Sequence, residues 1–550
     1  MRTTRITSLV LFIVIGRAAS EDSTPVPVIP YVSATTGERL LKELILKSDI
    51  TPEDGKCFVA RVRLNRRGDR DFRGSFCSLL EDGKPLPHPR SLHASIRKEG
   101  LGRYSHWTAT HVYLSASDSS DPRTNGRRYE LVSKESFRQR TARTTLTAGH
   151  SSLSIVAADD RSVRPIRIVM RNLDQQVSVS PHLRRSDDPD LTSVESIISS
   201  ITNDQMSDED RATAIWKFLI DWRYHDYPAE RRAEMHDPVK LINVYGYGFC
   251  DDSAAAFCVL ASKAGMKTRS VGLSGHVVAE AFYDNAWHMF DPDHQVRYRT
   301  KDGRVAGVSE LEFQPELITS QPDDPLGFPS RRMAEMYTTR RDNRPFQAAS
   351  SDPMELRPVL DPGDQVVFDF TRRQRVHRRA YRDKPLPLMF GNGILSQNKL
   401  LSKTNLRSNA RVIHVQWPYV ILGGQIRIAS KADDGASTVE ASADGGNFAA
   451  LPVISINNGL ATSLDSWIDA QPSAVYEYWL RIRRNDGTDP AIGIKDVSVD
   501  TEFQFAPRAH AQIKPGMNGF VVAVHGKDSQ LPENWRGLDV ELVWDEVRDK

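Results

Sequence analysis

The sequence predicts an α+β protein in which a helix-containing segment lies between two β-rich regions. Residues 37–180 carry short runs of alternating apolar and polar residues separated by Gly, Asp and Pro, a pattern typical of half-buried strands. Helical periodicity begins near Leu191, and strand-like alternation returns over residues 401–550. A chain of 550 residues exceeds what one hydrophobic core usually organises, so we expect several domains.

The N-terminus has the pattern of an export signal, residues 1–20. It combines a positive start at Arg2 and Arg5, an apolar run over residues 9–15 and small residues at a cleavage site over 18–20. That run is too short to span a bilayer, and no later apolar run approaches the roughly twenty residues required, so no membrane insertion is expected after cleavage. The sequence therefore predicts a secreted or periplasmic protein.

Charge and composition indicate an ordinary globular chain. The 73 Lys and Arg residues nearly cancel the 71 Asp and Glu residues, and 39% of the residues are apolar. Without a global positive field, no nucleic-acid partner is expected.

Two of the four cysteines lie in the N-terminal β-rich region. Cys57 opens a strand-like run over residues 57–64, Cys77 lies in a second such run, and a polar turn at residues 66–69 separates them. A hairpin of these two runs would allow a Cys57–Cys77 disulfide in an oxidising compartment. Two independent buried thiols are the alternative.

A capped helix is predicted to begin at residues 207–210, Ser-Asp-Glu-Asp. Ile215, Phe218, Leu219 and Trp222 then form one apolar stripe. This spacing indicates core packing of the helix.

Cys250 lies where a Gly-rich loop enters an Ala-rich helix. The unpaired N–H groups and the positive end of the dipole at a helix start stabilise a thiolate and make the sulfur a better nucleophile. Asp251 and Asp252 oppose this effect, so a cationic histidine must supply much of the activation.

His276 opens a predicted β-hairpin, residues 275–292, whose turn is Asp284-Asn285. Pairing about this turn places His276 opposite residues 291–293, within reach of Asp291. A carboxylate that holds one ring nitrogen fixes the tautomer and leaves the other nitrogen to face the thiol. The sequence thus predicts Cys250, His276 and Asp291 as one catalytic group.

Neighbouring polar residues offer alternatives to these assignments. His288, Asp293 and His294 compete for roles, but His288 shares its face with Phe290 and His294 fits a surface position. A zinc site from Cys250 with His276, His288 or His294 is not predicted, because these residues lack paired-ligand spacing, and no metal is expected.

An oxyanion formed at the site needs hydrogen-bond donors. The backbone N–H of Cys250 is the first candidate, and Tyr247 and Asn243, just upstream, are candidates for the second. A tyrosine in a Gly-rich loop also occurs for turn geometry alone.

Three short motifs resemble the transglutaminase-like superfamily: Gly248-Phe249-Cys250, Gly275-His276 and Phe290-Asp291-Pro292. The resemblance covers about residues 190–300 and implies a papain-like core, with the cysteine on a helix packed against an antiparallel sheet. This sequence departs from the family's pattern after the histidine, where Val277-Val278 replaces the usual aromatic residue nearby.

The resemblance implies acyl chemistry without a cofactor: a thiolate attacks a carboxamide carbonyl, an amine leaves, and the acyl group passes to water or another amine. The substrates expected are proteins, peptides or glycoconjugates, with hydrolysis favoured over amine transfer. The alternative is a non-catalytic carbohydrate- or protein-binding surface protein that keeps the fold as a scaffold.

The resemblance and the strand patterns together predict the domain layout. A β-sandwich-like domain covers 37–180, the transglutaminase-like catalytic domain 190–305, a linker with a small β segment 306–400, and a second β-sandwich 401–550. The Pro-rich stretch 321–329 is a predicted boundary. The C-terminal sandwich is a candidate polysaccharide-binding module through five aromatic residues, although most of them are expected to be core: Trp417, Tyr419, Trp467, Tyr476 and Trp479.

Overall fold

The structure is a computed structural model, and it describes most of the chain from residue 26 onward. The described residues are 26–28, 30–64, 66–71, 74–226, 233–339, 343–347, 352–377, 389–399, 410–430, 437–457, 459–484, 494–527 and 530–549. The predicted export signal, residues 1–20, lies outside the described residues. In these ranges we find no helix with the length and apolar character that a membrane crossing requires.

The N-terminal region is built from antiparallel strands, as its alternating pattern predicts. In β8, for example, Val112 and Leu114 are buried while His111 is exposed. The elements are β1 (Val26–Val28), β2 (Tyr31–Ile45), β3 (Ile50–Pro52), β4 (Phe58–Arg61), β5 (Cys77–Glu81), β6 (Lys84–Pro85), α1 (His93–Glu99), β7 (Tyr104–Thr108), β8 (His111–Leu114), β9 (Tyr129–Leu146), β10 (His150–Ala157), β11 (Ser162–Asn172) and β12 (Val179–Arg185).

Cys57 and Cys77 are separate buried thiols, so the expected disulfide is not formed. The hairpin prediction is wrong because the two strands lie in different sheets: β4 pairs with β3 and β8, whereas β5 pairs with β6 and β9. Burial, with a hydrogen bond from the thiol to Glu53, raises the pKa of Cys57 to about 12. Cys57 is therefore a protonated, unreactive thiol near neutral pH.

The middle of the chain mixes helices with a small antiparallel sheet in the order β17-β16-β15-β18. Helix α5 packs on β15 and β16. The predicted α3 begins after its N-cap residue Ser207, whose hydroxyl accepts the N–H of Asp210. The elements are α2 (Val194–Ile201), α3 (Asp208–Trp222), β13 (Tyr224–His225), α4 (Pro238–Lys240), β14 (Tyr247–Gly248), α5 (Cys250–Lys263), β15 (Lys267–Gly272), β16 (Val277–Tyr283), β17 (Ala286–Phe290), α6 (Val308–Phe313), α7 (Glu316–Thr319), α8 (Ser330–Thr338) and β18 (Arg344–Phe346).

This middle unit continues beyond the predicted limit at residue 305. Leu311, Ile318 and Tyr337 are buried in one cluster with Met289 of the hairpin, and β18 adds an edge strand to β15. The Pro-rich stretch 321–329 is therefore no boundary but the connection between α7 and α8 within the unit. A Pro-rich loop and a linker look alike in sequence because neither carries periodicity.

The C-terminal region is again mostly strands and contains a four-stranded sheet in the order β21-β27-β23-β24. The turn Asp444-Gly445-Gly446-Asn447 joins β23 to β24. The elements are β19 (Gln365–Asp369), β20 (Gly391–Lys399), β21 (Ala410–Gln416), β22 (Ile421–Ser430), β23 (Ser437–Ser442), β24 (Ala449–Ala450), β25 (Val453–Ile456), β26 (Gly459–Ser463), α9 (Asp465–Asp469), β27 (Glu477–Arg484), β28 (Ile494–Phe505), β29 (Gly516–Gly526) and β30 (Leu538–Asp549).

Strands from both β-rich regions share the same sheets. β30 lies between β9 and β11, and β29 lies between β10 and β12. The ranges 37–180 and 401–550 are therefore not two independent sandwiches. Pairing between strands so far apart in sequence leaves no local pattern, which is why the sequence predicts the strands but not their partners.

The C-terminal region also supports the segment that precedes Cys250. The Gln504 side chain donates to the carbonyl of Val244 at 3.1 Å, and the N–H of Ala506 donates to the carbonyl of Asn243 at 2.8 Å. The loop ahead of the cysteine thus rests on the end of β28.

Candidate active site

The approach to Cys250 is a tightly constrained loop. A π-helical turn over Leu241–Tyr245 ends where the N–H of Gly246 bonds to the carbonyl of Leu241 at 2.8 Å. Gly246 has φ of 71°, and a Cβ there would lie 2.7 Å from the Cβ of Ala506. The chain then forms β14, parallel to β13, and enters α5 at Cys250.

Cys250 is the first residue of α5, as the sequence predicts, and is only 6% exposed. Its own N–H has no acceptor within the helix because it belongs to the first turn. Asp252 accepts the N–H of Phe249 at 2.9 Å, and burial raises the pKa of Asp252 to about 6. This carboxyl therefore caps the start of the helix. Because it is partly protonated near pH 6, it destabilises a nearby thiolate less than a fully ionised carboxylate would.

His276 lies just ahead of the hairpin formed by β16 and β17. Asp284 and Asn285 have φ of 46° and 56°, the conformation of a two-residue type I′ turn. The register pairs Ala279 with Phe290, and this brings the residues before β16 next to those after β17. His276 Nε2 then lies 2.8 Å from Oδ2 of Asp291.

Asp291 is completely buried, and both its carboxylate and its backbone carbonyl accept hydrogen bonds. Its Oδ1 accepts the N–H groups of Asp293 and His294, each at 3.0 Å, and its carbonyl accepts the indole N–H of Trp216 at 3.0 Å. A carboxylate fixed in this way holds the His276 ring in one orientation and leaves Nδ1 as the nitrogen that can meet the thiol.

The His276 ring is favoured in its protonated form. Burial alone would lower its pKa, but the charge of Asp291 and hydrogen bonds to Asp291 and Cys250 raise the pKa well above its ordinary value. An imidazolium in contact with Cys250 stabilises a thiolate. The arrangement thus places a cationic histidine beside a cysteine at a helix start.

A second carboxylate, Asp293, reaches the same centre. One of its oxygens, the Cys250 sulfur and a ring nitrogen of His276 all lie within 4.8 Å of one another. Its Oδ1 accepts from Arg223 at 2.9 Å and lies 2.8 Å from Nδ1 of His225. Burial alone would raise the pKa of Asp293, but His225 and Arg223 hold it below the usual value, so the group is anionic.

Arg223 connects this carboxylate to the loop ahead of Cys250. Its Nη1 donates to the carbonyls of Tyr224 and Gly248, both at 3.1 Å. The guanidinium therefore links β13, β14 and Asp293 in one buried network. Arg223 and His225 are not predicted as site residues from the sequence, because a charged residue after a helix usually marks a solvated position.

The remaining histidines take supporting positions. His294 is buried, not at the surface as expected from the sequence, because it pairs with Asp324 and packs edge-on against His276 at 4.7 Å between ring centroids. The nitrogens of His288 lie 2.6 and 3.1 Å from the carbonyls of Val305 and Tyr283. His288 is thus occupied by backbone groups.

The two upstream candidates for oxyanion donors are both buried. The Asn243 amide donates to the carbonyls of Leu191 and Val239 at 2.9 and 3.0 Å, so both of its hydrogens are used inside the fold. The Tyr247 ring packs near Tyr245 and Phe390. The backbone N–H of Cys250 remains the donor with a clear geometric basis.

Residues 195–292 match the transglutaminase-like superfamily. The transglutaminase-like segment contains Cys250, His276 and Asp291, and the rest of the chain lies outside it.

Other comparisons add little to the transglutaminase-like assignment. No curated protein matches the chain significantly. A solved structure from Parabacteroides distasonis, described as a "putative protease", aligns over 86% of this chain and 97% of its own, at 8% identity and a TM-score of 0.16. That score is too low to support a conclusion about fold or activity.

Proposed function

We propose that this protein is an exported transglutaminase-like cysteine enzyme that acts on carboxamide bonds of peptides or glycopeptides through a thioester. The observation that carries the proposal is the buried contact of Cys250, at a helix start, with a His276 ring held by Asp291. The pattern of residues 1–20 supports export.

The proposed reaction begins with attack of the Cys250 thiolate on the carboxamide carbon. The oxyanion that forms is stabilised by the N–H of Cys250, and the His276 imidazolium gives its proton to the nitrogen that leaves. The resulting thioester then reacts with water, which loses a proton to His276. The products are a carboxylic acid and the restored thiolate–imidazolium pair, with Asp291 holding the ring throughout.

Hydrolysis is proposed as the main outcome, with an amine as an occasional acceptor in place of water. The direct test offers the full chain a panel of peptides and glycopeptides with side-chain or glycan-linked carboxamides. Ammonia or amine release is measured with and without a primary amine in excess. Acid products that persist in the presence of amine support hydrolysis, whereas exclusive amide exchange identifies a transferase.

The rival function, a non-catalytic binding protein, predicts no special reactivity at Cys250. We expect iodoacetamide at about pH 7.5 to alkylate Cys250 at least roughly ten-fold faster than Cys258 of the same helix. Burial raises the pKa of Cys258 to about 11, whereas Cys250 contacts an imidazolium. The measurement is the labelling rate of each cysteine by peptide mass spectrometry.

Cys258 is a matched internal control because both cysteines are buried in α5. A His276→Gln variant should slow labelling of Cys250 and leave Cys258 unchanged. Equal rates for the two thiols in the native chain would favour the binding protein.

The pH dependence tests the role of Asp291. Because the folded-state pKa of His276 is raised, its imidazolium persists below that pKa and is lost as the pH rises through it. Asp291→Asn removes the raising charge while burial remains, so the alkaline limb of the kcat/KM profile should move to lower pH. The rate at neutral pH should fall by about 10²- to 10⁴-fold. An unchanged alkaline limb would assign Asp291 a purely structural role.

Polysaccharide binding by the C-terminal region is a further part of the proposal, and Trp467 is the aromatic residue that supports it. Trp417 and Tyr419 are core, as expected, and the Trp479 ring stacks on His414 at 4.4 Å. Trp467 is half-buried, so part of its side chain is exposed and can contact a ligand. Binding of the full chain to a panel of cell-wall polysaccharides, compared with a Trp467→Ala variant, tests whether this residue recognises a glycan.

A further inference from the structure

Three different ligand-type atoms meet at the candidate active site. The Cys250 sulfur, a His276 ring nitrogen and an Asp293 carboxylate oxygen lie within 4.8 Å of one another, and all three residues are buried. They come from three places in the fold: the start of α5, the residue before β16 and the turn after β17. Thiolate, imidazole and carboxylate are the three side-chain ligands that Zn²⁺ takes in proteins.

One oxygen of the Asp293 carboxylate is open to a further ligand. Its Oδ1 is shared by Arg223 and His225, whereas Oδ2 has no hydrogen-bond partner among the residues that the structure describes, although the side chain is only 1% exposed. A buried carboxylate oxygen without a partner is uncommon and marks a place where a ligand can gain a bond.

The His276 ring is already arranged as metal-binding histidines are. Such a ring usually gives its second nitrogen to a carboxylate, which fixes its orientation toward the ion. Asp291 holds Nε2 of His276 at 2.8 Å, so Nδ1 is the nitrogen left for a metal. The same carboxylate that supports acyl chemistry thus also supports coordination.

We propose that Zn²⁺ binds reversibly to Cys250, His276 and Asp293, with water as the fourth ligand, and that the bound ion blocks the thiolate. Metal–ligand bonds of about 2.0 to 2.3 Å require ligand atoms roughly 3.3 to 3.6 Å apart, so the side chains close by on the order of 1 Å. The blocking effect rests on the proposed function, but the binding of the ion does not.

The sequence does not predict this site, because zinc sites are recognised in sequences by pairs of closely spaced ligands. Here the three ligands are brought together by the helix start and the hairpin, and Asp293 lies only two residues from Asp291. A second acidic cluster, His236 with Asp251 and Asp252, provides a competing location that the experiment must separate.

The test titrates the full chain with Zn²⁺ alone and measures bound metal by equilibrium dialysis and elemental analysis. We expect one ion per chain in the native protein and in the controls Cys258→Ser and His236→Gln. Cys250→Ser and Asp293→Asn should each weaken binding by at least about ten-fold. Saturating Zn²⁺ should also slow iodoacetamide labelling of Cys250 by at least about ten-fold, while Cys258 labelling stays constant.

Binding that survives in Cys250→Ser, that disappears in His236→Gln, or that leaves Cys250 labelling unchanged overturns the proposal. Because Cys250→Ser alters one atom, it keeps the test decisive even where Asp293→Asn fails to fold. Dialysis and labelling need no substrate, so they test the metal site independently of the proposed enzyme activity. A chain that binds Zn²⁺ without amide activity would refute the proposed function alone, and an active chain without Zn²⁺ binding would refute the metal site alone.

Discussion

Replacing Cys250 with alanine is expected to lower carboxamide turnover by about 10⁴-fold or more, because no other group can form the thioester. His276→Ala should lower it by a similar factor, since the thiolate then loses its imidazolium and the leaving amine loses its proton donor. The two losses should not add in the double variant, because the residues act as one unit.

The matched control is Cys258→Ala, which removes a buried thiol from the same helix, away from His276. It should retain activity within about three-fold of the native chain. Circular dichroism melts of all variants confirm that the fold survives. Substantial turnover by a folded Cys250→Ala chain would refute a covalent mechanism through this residue.

Arg223→Met is expected to lower the free energy of unfolding by about 3 to 5 kcal/mol, the usual cost of removing one partner from a buried ion pair. The Arg223 side chain is 2% exposed and that of Asp293 is 1% exposed, so the carboxylate would lose a buried countercharge. The carbonyls of Tyr224 and Gly248 would lose a donor as well. Denaturant titration followed by tryptophan fluorescence measures the effect.

A surface arginine is the control for this substitution. Arg331 of α8 is 89% exposed and pairs with Glu335, so Arg331→Met should leave the denaturation midpoint unchanged within error. Adding Asp293→Asn to Arg223→Met should recover part of the stability, because the uncompensated charge is then removed. A midpoint for Arg223→Met equal to that of the native chain would show that Asp293 does not depend on this arginine.

Local patterns in the sequence predicted the elements that carry the site. The cap at Ser207, the Gly-rich entry to Cys250 and the Asp284-Asn285 turn each act within a few residues, and the structure has a helix start or turn at each. The hairpin register follows from the turn, which is why Asp291 could be placed near His276 from sequence alone.

Residues that act through distant contacts carried no such signal. Arg223 and Asp324 look like ordinary solvated charges in sequence, and only the packed structure shows that each is paired in the interior. The Cys57–Cys77 prediction failed for the same reason, since two adjacent strand patterns do not reveal that they join different sheets.

The position of β30 has a consequence for biosynthesis. Residues 538–549 fill the gap between β9 and β11, so the largest sheet stays open until the ribosome has made these residues. Pairing of such widely separated segments is slow because a long loop must close first. β28, which supports the loop ahead of Cys250, is also made long after that loop. The loop therefore gains this support only once residues 494–505 have been synthesised.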